Sequence, residues 1–287
     1  MDRNEMPISV VVISYNSATT IVETLNSIKE QTYEKLELIV SDDCSTDNTV
    51  SIVKRWFRDN GTRFIKCTCI TSKENTGVAG NLNRGIEACS FNYYKTIAAD
   101  DMLVPKAIEI YMDYFRKQPD AIYVSDVQLL FEQGCTLEYQ NELKKQINYL
   151  YQRFKINHKD NKKLYKEMLK DNCFPAIGVG ILKKEMFLSK GSYDLRFPLL
   201  EDYPYYLQLV KEGIAIVYIP RPLFIYRIHQ KSISHTKSIN WKYEQNKRKF
   251  FFQCKWKELL SQGMYKELLL QLYANIRMYM EAKWQSK

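Results

Sequence analysis

The stretch Ile8-Ser9-Val10-Val11-Val12-Ile13-Ser14-Tyr15-Asn16 indicates the class of fold. Its first six residues are mostly β-branched and alternate little between apolar and polar, which is typical of a strand covered on both faces of a parallel sheet. A polar turn follows, and apolar residues then recur at helical spacing at Ile21, Leu25 and Ile28. This opening therefore predicts a strand, a turn and a helix, the repeating unit of an α/β protein.

The same alternation continues along the chain. Further strands are predicted at 36–40, 64–71, 93–98 and 121–127. Helices are predicted at 46–58, 80–89 and 105–115. This order favours a doubly wound mixed sheet with right-handed crossovers.

The second half of the chain is predicted to be more helical. Basic residues 140–172 and residues 200–212 read as helices, and 176–188 as a strand followed by a helix. Two prolines, Pro220 and Pro222, are expected to separate strands at 214–219 and 223–229. Two last helices are expected to be broken near Gly263.

Composition excludes several classes of protein. The 287 residues are 45% hydrophobic and 26% charged, which argues against intrinsic disorder. No apolar run approaches the roughly 18 residues of a transmembrane helix, and the polar N-terminus lacks the features of a signal peptide. Seven scattered cysteines indicate free thiols in a reducing compartment. A cytoplasmic protein is therefore predicted.

The net charge of +9 is unevenly distributed. Residues 1–143 carry −7 and residues 171–236 carry +2, whereas 144–170 and 237–287 carry +7 each. The C-terminal tail interleaves lysines with aromatic residues, as do helices that lie on anionic membranes. This pattern predicts contact of the tail with the inner face of the cell membrane. A helical annex packed on the domain, with its lysines solvated, is the alternative. Because the first half is acidic, nucleic acid is not an expected partner.

Polar and acidic side chains follow three predicted strands, at the edge where open α/β sheets bind ligands. They are Ser14, Tyr15 and Asn16 after the first strand, Asp42 and Asp43 after the second, and Asp100 and Asp101 after the fourth. Adjacent carboxylates repel each other, and a divalent cation that bridges substrate phosphates relieves the repulsion. Solvated loop aspartates and helix caps are the alternative. A P-loop and a dinucleotide-binding glycine fingerprint are both absent from the sequence.

Taken together, these motifs resemble the family 2 glycosyltransferases. The matching segments are residues 8–16, 25–33, 38–49 and 75–86, Asp100-Asp101-x-x-x-Pro105, Glu201-Asp202 and Tyr226-Arg227-x-His229-x-x-Ser232-x-Ser234. The order and spacing over residues 7–235 make the resemblance specific. It implies the GT-A nucleotide-diphospho-sugar transferase fold, an α/β doubly wound mixed sheet, to which this sequence adds a basic helical C-terminal annex. The expected domains are a catalytic domain, 1–236, and a tail, 237–287. Within the catalytic domain, 1–130 would bind nucleotide-sugar and 131–236 the acceptor.

The resemblance also implies an activity. This is an inverting, metal-dependent transfer from a nucleotide-sugar, with UDP-sugar favoured, to a hydroxyl of a saccharide or lipid-linked saccharide in bacterial surface polysaccharide synthesis. Nucleotide-sugar contacts are implied for Ser14, Tyr15, Asn16, Asp42, Asp43, Asn83 and Asp100. Binding of Mg²⁺ or Mn²⁺ is implied for Asp100, Asp101 and His229. Base catalysis is implied for Asp202, paired with Glu201.

Two positions depart from the family pattern. Ala98 stands where the family often has Asp, and Leu82 where it often has Arg. These departures motivate one alternative, a nucleotide-sugar-binding protein without catalysis. The other alternative is a polyprenyl-phosphate glycosyltransferase, whose acceptor phosphate needs no strong base. A nucleotidyltransferase is less favoured, because its glycine-rich signature loop is absent near the N-terminus.

Overall fold

A computed structural model describes residues 6–228 and 237–285 of the chain. The strands are β1 (Ile8–Ser14), β2 (Leu36–Asp42), β3 (Lys66–Thr71), β4 (Tyr93–Ala98), β5 (Met102–Leu103), β6 (Ile122–Phe131), β7 (Leu182–Lys183) and β8 (Ile216–Ile228). The first helices are α1 (Ile21–Lys29), α2 (Thr49–Asn60), α3 (Gly77–Glu87) and α4 (Ala107–Phe115). The later helices are α5 (Leu137–Asn157), α6 (Asn161–Lys170), α7 (Lys184–Lys190), α8 (Asp202–Lys211), α9 (Lys237–Phe250), α10 (Trp256–Ser261) and α11 (Tyr265–Gln285).

The main sheet confirms the predicted α/β architecture. Its strand order is β3-β2-β1-β4-β7, with β7 antiparallel to β4 and the other pairs parallel. Central strand β1 is covered on both faces: Val10 and Val12 pack with α1 and α4, whereas Val11 joins the core beneath α3 and α8. The unalternating apolar run at residues 8–13 is explained by this double coverage.

A second sheet, in the order β5-β8-β6, corrects the prediction for residues 214–229. The two predicted strands form one strand, β8, which runs through Pro220 and Pro222. Its pairing with β6 shifts register at Ser125 and Asp126. Strand β5 pairs with Phe224 and Ile225 of β8, beyond the two prolines. Pro220 and Pro222 therefore lie at the bulge in the β6 pairing, where β5 does not pair with the other side of β8.

The segment 140–172 is divided into two helices, α5 and α6. The break has a local cause, since the side chain of Asp160 accepts a hydrogen bond from the backbone N–H of Lys163 at 3.1 Å and begins the second helix. Farther along, Gly263 has φ +67° and separates α10 from α11, as predicted.

Part of the C-terminal tail packs into the hydrophobic core. Phe250, Phe251 and Leu259 are buried there. Glu258 accepts hydrogen bonds from the Tyr165 hydroxyl at 2.6 Å and from Lys211 at 2.7 Å. These contacts attach this part of the tail to the rest of the chain, and the predicted division at residue 236 stays a prediction. Within the described residues, no helix combines the length and hydrophobicity needed to cross a bilayer.

Candidate active site

The loops that follow β1 and β2 are joined by hydrogen bonds at the edge of the main sheet. The backbone N–H of Asn16 donates to Ser45 Oγ at 2.8 Å, and Asn16 Oδ1 accepts from the backbone N–H of Thr46 at 2.8 Å. Ser14 Oγ donates to Asp42 Oδ2 at 2.9 Å. Parallel pairing places Ser14 opposite Asp42, and the predicted residues of these two loops therefore lie together.

The same two loops contain unusual backbone conformations. Asn16 has φ +50° and Cys44 has φ +67°, and they are the non-glycine residues with positive φ in the described chain. Left-handed conformations of such residues cost about 1–3 kcal/mol each and persist where the surroundings fix them. The interlocking hydrogen bonds supply that constraint here.

Tyr15 and Asp42 differ sharply in their access to a ligand. The Tyr15 side chain is on the surface, with the residue 47% exposed, so its ring is available for stacking. Asp42 is 1% exposed, and its carboxylate accepts from Ser14 Oγ and from the N–H and Oγ of Ser45. Asp42 therefore holds the two loops together and is buried, and its predicted contact with nucleotide stays a prediction.

Asp43 fixes the start of α3. Its carboxylate accepts hydrogen bonds from the backbone N–H groups of Thr76, at 2.9 Å, and Gly77, at 2.8 Å, and from Thr76 Oγ1 at 2.6 Å. An anion is favoured at this position because the N-terminus of a helix carries partial positive charge. The residue is 2% exposed, so contact with a nucleotide, still a prediction, requires approach along the Thr76–Gly77 backbone.

Arg84 is a site residue that sequence reasoning missed. Its guanidinium donates to Asp43 Oδ1 at 3.0 Å, to Asn81 Oδ1 at 2.8 Å and to the Asp42 carbonyl at 3.2 Å. One signal was available in the sequence. The family often has an arginine at the position of Leu82, and Arg84 lies two residues later in the same glycine-bearing motif. A cation is thus present beside the buried carboxylate of Asp43.

Asn83 joins α3 to a distant loop. Its side-chain amide donates to the Tyr193 carbonyl and accepts from the Tyr193 N–H, both at 2.9 Å. The groups of Asn83 are thus engaged by backbone, and its predicted contact with nucleotide stays a prediction. The same loop touches the start of α3, since a Cβ built on Gly77 would lie 3.3 Å from Pro198 Cβ. Glu201 and Asp202 follow three and four residues after Pro198.

The acidic pair after β4 is held by Arg227. The backbone N–H of Arg227 donates to Asp101 Oδ1 at 2.9 Å, and its guanidinium donates to the Asp100 carbonyl at 2.8 Å. The guanidinium also pairs with Glu132 at 2.9 Å and with Glu23. The sequence places Arg227 in a motif, and the structure shows that it joins β8 to the Asp100–Asp101 turn.

Asp101 lies in a buried polar cluster with Lys95. Burial and the neighbouring Asp100 carboxylate raise the pKa of Asp101 well above its ordinary value, against the influence of Arg227 and Lys95. Burial lowers the pKa of Lys95 to about 7, against the attraction of Asp101. Asp101 is 5% exposed, so Asp100 is the better placed of the two carboxylates to reach a substrate.

The metal ligands remain a prediction. In the ranges 6–228 and 237–285, no group of three His, Cys, Asp or Glu side chains could hold an ion. His229 lies outside the described residues. A hard divalent cation often takes one or two carboxylates and completes its coordination with water and substrate phosphates. The Asp100–Asp101 turn fits that limited donor set, and it does not fit an all-protein metal cage.

Glu201 and Asp202 lie at the start of α8, as predicted. The backbone N–H of Tyr203 donates to Asp202 Oδ1 at 2.7 Å. Burial, followed by the charge of Asp202, raises the pKa of Glu201 to about 8. Burial also raises the pKa of Asp202. The pair therefore holds a proton at a higher pH than ordinary carboxyl groups, as a general base working near neutral pH requires.

Helix α9 lies close to this acidic pair. Burial, together with the charges of Asp202 and Glu201, raises the pKa of the Tyr243 phenol. The Phe250 ring packs edge-on against Tyr203, with a centroid distance of 5.4 Å. The tail thus helps to form the surroundings of the candidate base, which the sequence did not indicate.

Comparison with known proteins identifies relatives over most of the chain. The family model for glycosyl transferase family 2 matches residues 9–185. An uncharacterized glycosyltransferase of Haemophilus influenzae is 27% identical over 250 residues, which cover 83% of this chain and 69% of that protein. The Escherichia coli UDP-Glc:α-D-GlcNAc-diphosphoundecaprenol β-1,3-glucosyltransferase WfaP is 25% identical over 232 residues, 80% of each chain.

Solved structures share the fold. S. aureus TarS matches with a TM-score of 0.59 at 15% identity, over 86% of this chain and 44% of that chain. The TarS 1–349 fragment in complex with UDP-GlcNAc matches with a TM-score of 0.58 at 14% identity, over 86% of this chain and 73% of the fragment. The predicted GT-A architecture is confirmed by these neighbours.

Proposed function

Because this chain belongs to glycosyl transferase family 2, we propose that it transfers a sugar from a UDP-sugar to a hydroxyl of a saccharide or lipid-linked saccharide in surface polysaccharide synthesis. The observation that carries the proposal is the approach of Gly77 to Pro198. It brings the loops at the edge of the main sheet close to the segment that ends in Glu201 and Asp202. A donor and a base must be held side by side for direct displacement at a sugar carbon.

The donor end of the site is proposed to lie against the loops after β1 and β2. The exposed ring of Tyr15 offers a stacking surface for uracil, and the Thr76–Gly77 backbone held by Asp43 forms the adjacent edge. The UDP-GlcNAc bound by TarS and the UDP-Glc in the name of WfaP support a uridine donor.

Asp100 is proposed to face the ribose and diphosphate. It would hold a Mg²⁺ or Mn²⁺ ion together with the diphosphate oxygens, with His229 as a further candidate ligand. An ion held there would offset the negative charge that develops on the leaving diphosphate. Arg227 keeps the Asp100–Asp101 turn in place through its two hydrogen bonds to that turn.

Asp202 is proposed to accept the proton of the acceptor hydroxyl. As the proton moves to Asp202, the acceptor oxygen forms a bond to the anomeric carbon, and the bond to the diphosphate oxygen breaks. Attack from the face opposite the leaving group inverts the anomeric centre. Burial raises the pKa of Asp202 and thus its capacity to take the proton.

The substitution Asp202→Asn tests this role. We expect kcat to fall by about 10³-fold, within the range typical of lost general-base catalysis, while the Kd for UDP stays unchanged. Asp59→Asn, on the exposed surface of α2, is the matched control. Product NMR should show the inverted anomer. An unchanged kcat would refute the base and favour a polyprenyl-phosphate acceptor.

Contact with an anionic membrane is proposed for α11. The helix leaves large apolar side chains exposed, with Leu269 at 65%, Leu270 at 58% and Tyr273 at 67%. Lys266, Glu267 and Arg277 flank them in the sequence, with one net positive charge, and apolar residues beside cations favour binding at the surface of an anionic bilayer. This proposal concerns α11 alone, because residues 250–264 pack into the core.

A further inference from the structure

A cleft of about 480 Å³ opens between α9 and the loop that leads to Glu201. One wall carries Arg196 and Pro198, and the other carries Gln245, Asn246, Arg248 and Lys249. None of its lining residues is acidic. The cleft presents three cations and two side-chain amides, and it differs in this from the acidic loops after β1 and β2, where the donor is proposed to bind.

Both walls are anchored. On the loop side, Asn83 holds Tyr193 by two hydrogen bonds, and Arg196 pairs with Asp194 at 2.6 Å. On the tail side, the Phe250 ring packs edge-on against Phe197, with centroids 5.2 Å apart. The cleft is therefore a built feature of the fold, and the tail is required for it.

Two carboxylates stand next to lining residues or pair with them: Asp194 pairs with Arg196 at 2.6 Å, and Glu244, which precedes Gln245, pairs with Lys247 at 3.1 Å. The pKa of Asp194 is lowered, despite partial burial, by hydrogen bonds from Arg196 and by the charge of Lys249. Asp194 is thus matched chiefly by Arg196, and Arg248 and Lys249 add positive charge on the opposite wall. Guanidinium groups and amide N–H donors are suited to phosphate oxygens.

The cleft also lies next to the candidate base. Pro198 is three residues before Glu201, and Tyr243 on α9 is close enough to Glu201 and Asp202 for their charges to raise its pKa. An acceptor hydroxyl at Asp202 would place the next part of the acceptor against α9.

We propose that this cleft binds a phosphate group carried by the acceptor saccharide. The inference rests on the proposed glycosyl transfer and specifies its acceptor class, a saccharide attached to a phosphate or diphosphate. Arg248 and Lys249 are the specificity-determining residues, and Arg196 completes the site from the loop.

Binding of defined probes tests the cleft. The probes are N-acetylglucosamine 1-phosphate as a soluble sugar phosphate, farnesyl diphosphate as a short lipid diphosphate, and N-acetylglucosamine as the neutral comparison. Calorimetry should show binding of the phosphate-bearing probes to the full chain. In the double variant Arg248→Gln/Lys249→Gln we expect their Kd to rise about tenfold. Tighter binding of farnesyl diphosphate would assign the phosphate to a lipid, and tighter binding of the sugar phosphate to a soluble glycan.

The matched control is Lys242→Gln/Lys247→Gln, which removes the same charge from the same helix outside the cleft. It should change Kd less than twofold, and thermal unfolding should show that both double variants fold. Equal effects of the two double variants, or phosphate probes that do not bind, would overturn the proposal. UDP binding is measured in parallel, since its absence would refute the proposed function, whereas UDP binding without a cleft effect refutes this inference alone.

Discussion

The substitution Glu201→Gln is expected to change how stability depends on pH. In the folded chain, burial and the charge of Asp202 raise the pKa of Glu201 from an ordinary 4.5 to about 8. The folded state therefore holds an additional proton between these two values. The stabilisation is fully present below pH 4.5 and is lost as pH rises toward 8. Glutamine remains neutral and removes this loss.

The magnitude follows from the difference in pKa. A difference of about 3.5 corresponds to roughly 5 kcal/mol as an upper limit, at about 1.4 kcal/mol for each pKa unit. Glu201 is partly exposed and shares its proton with Asp202, so we expect about 2 kcal/mol. Wild type should thus lose about 2 kcal/mol more than Glu201→Gln between pH 5 and pH 8.

Urea denaturation followed by tryptophan fluorescence at pH 5, 6, 7 and 8 measures the effect. The exposed residue Glu74 provides the control Glu74→Gln, which should keep the wild-type dependence on pH. Parallel stability curves for wild type and Glu201→Gln would show that Glu201 is an ordinary solvated carboxylate. The argument that the carboxyl groups at the start of α8 have raised pKa values would then fail.

Three further predictions concern the architecture around the site. Asn83→Ala should lower the free energy of unfolding by about 2–3 kcal/mol in urea denaturation, because two hydrogen bonds to buried Tyr193 are lost. Asp43→Asn should cost about 3 kcal/mol in the same assay, because the helix start and Arg84 lose a buried anion. Leu269→Glu/Leu270→Glu should weaken co-sedimentation with anionic vesicles more than tenfold, since burial of each leucine contributes about 1.5–3 kcal/mol.

Controls separate these effects from general damage. Asn157→Ala removes an amide that donates to the Arg153 carbonyl of its own helix at 2.8 Å, so it should cost less than Asn83→Ala. For the vesicle assay, Leu137→Glu/Leu188→Glu alters two leucines outside the tail that are at least as exposed, at 71% and 65%, and should leave binding unchanged. Vesicle binding that is the same in both double variants would contradict the role given to α11, and wild-type stability in Asn83→Ala or Asp43→Asn would contradict their anchoring roles.

The framework of the fold could be predicted from the sequence because its signals are local. The β-branched run of β1 and the helical spacing of α1 each report burial directly. Strand β8 could not be predicted as one element, because the tolerance of Pro220 and Pro222 depends on the register shift opposite Asp126. That shift is a property of the assembled sheet.

The candidate site could be predicted only in part, for a similar reason. Motif order predicts Asp43, Asp100 and Asp202 as site residues, but the sequence does not show which acidic side chains also hold the loops together through hydrogen bonds. Asp42 illustrates this, since it is buried and its carboxylate accepts three hydrogen bonds from Ser14 and Ser45. The roles of Arg227 and of the α9 cleft depend on contacts between residues that are far apart in sequence. Such contacts cannot be predicted from the local spacing of residues.

The most direct test of the central claim is a thermal-shift measurement with UDP, with and without Mn²⁺. A ligand at 100 times its Kd stabilises the folded state by about 2.7 kcal/mol, which corresponds to several degrees for a chain of this size. A nucleotide-sugar transferase should show that rise with UDP and Mn²⁺, and a smaller rise with UDP alone. No shift with UDP or with any other nucleoside diphosphate, in either condition, would contradict the account.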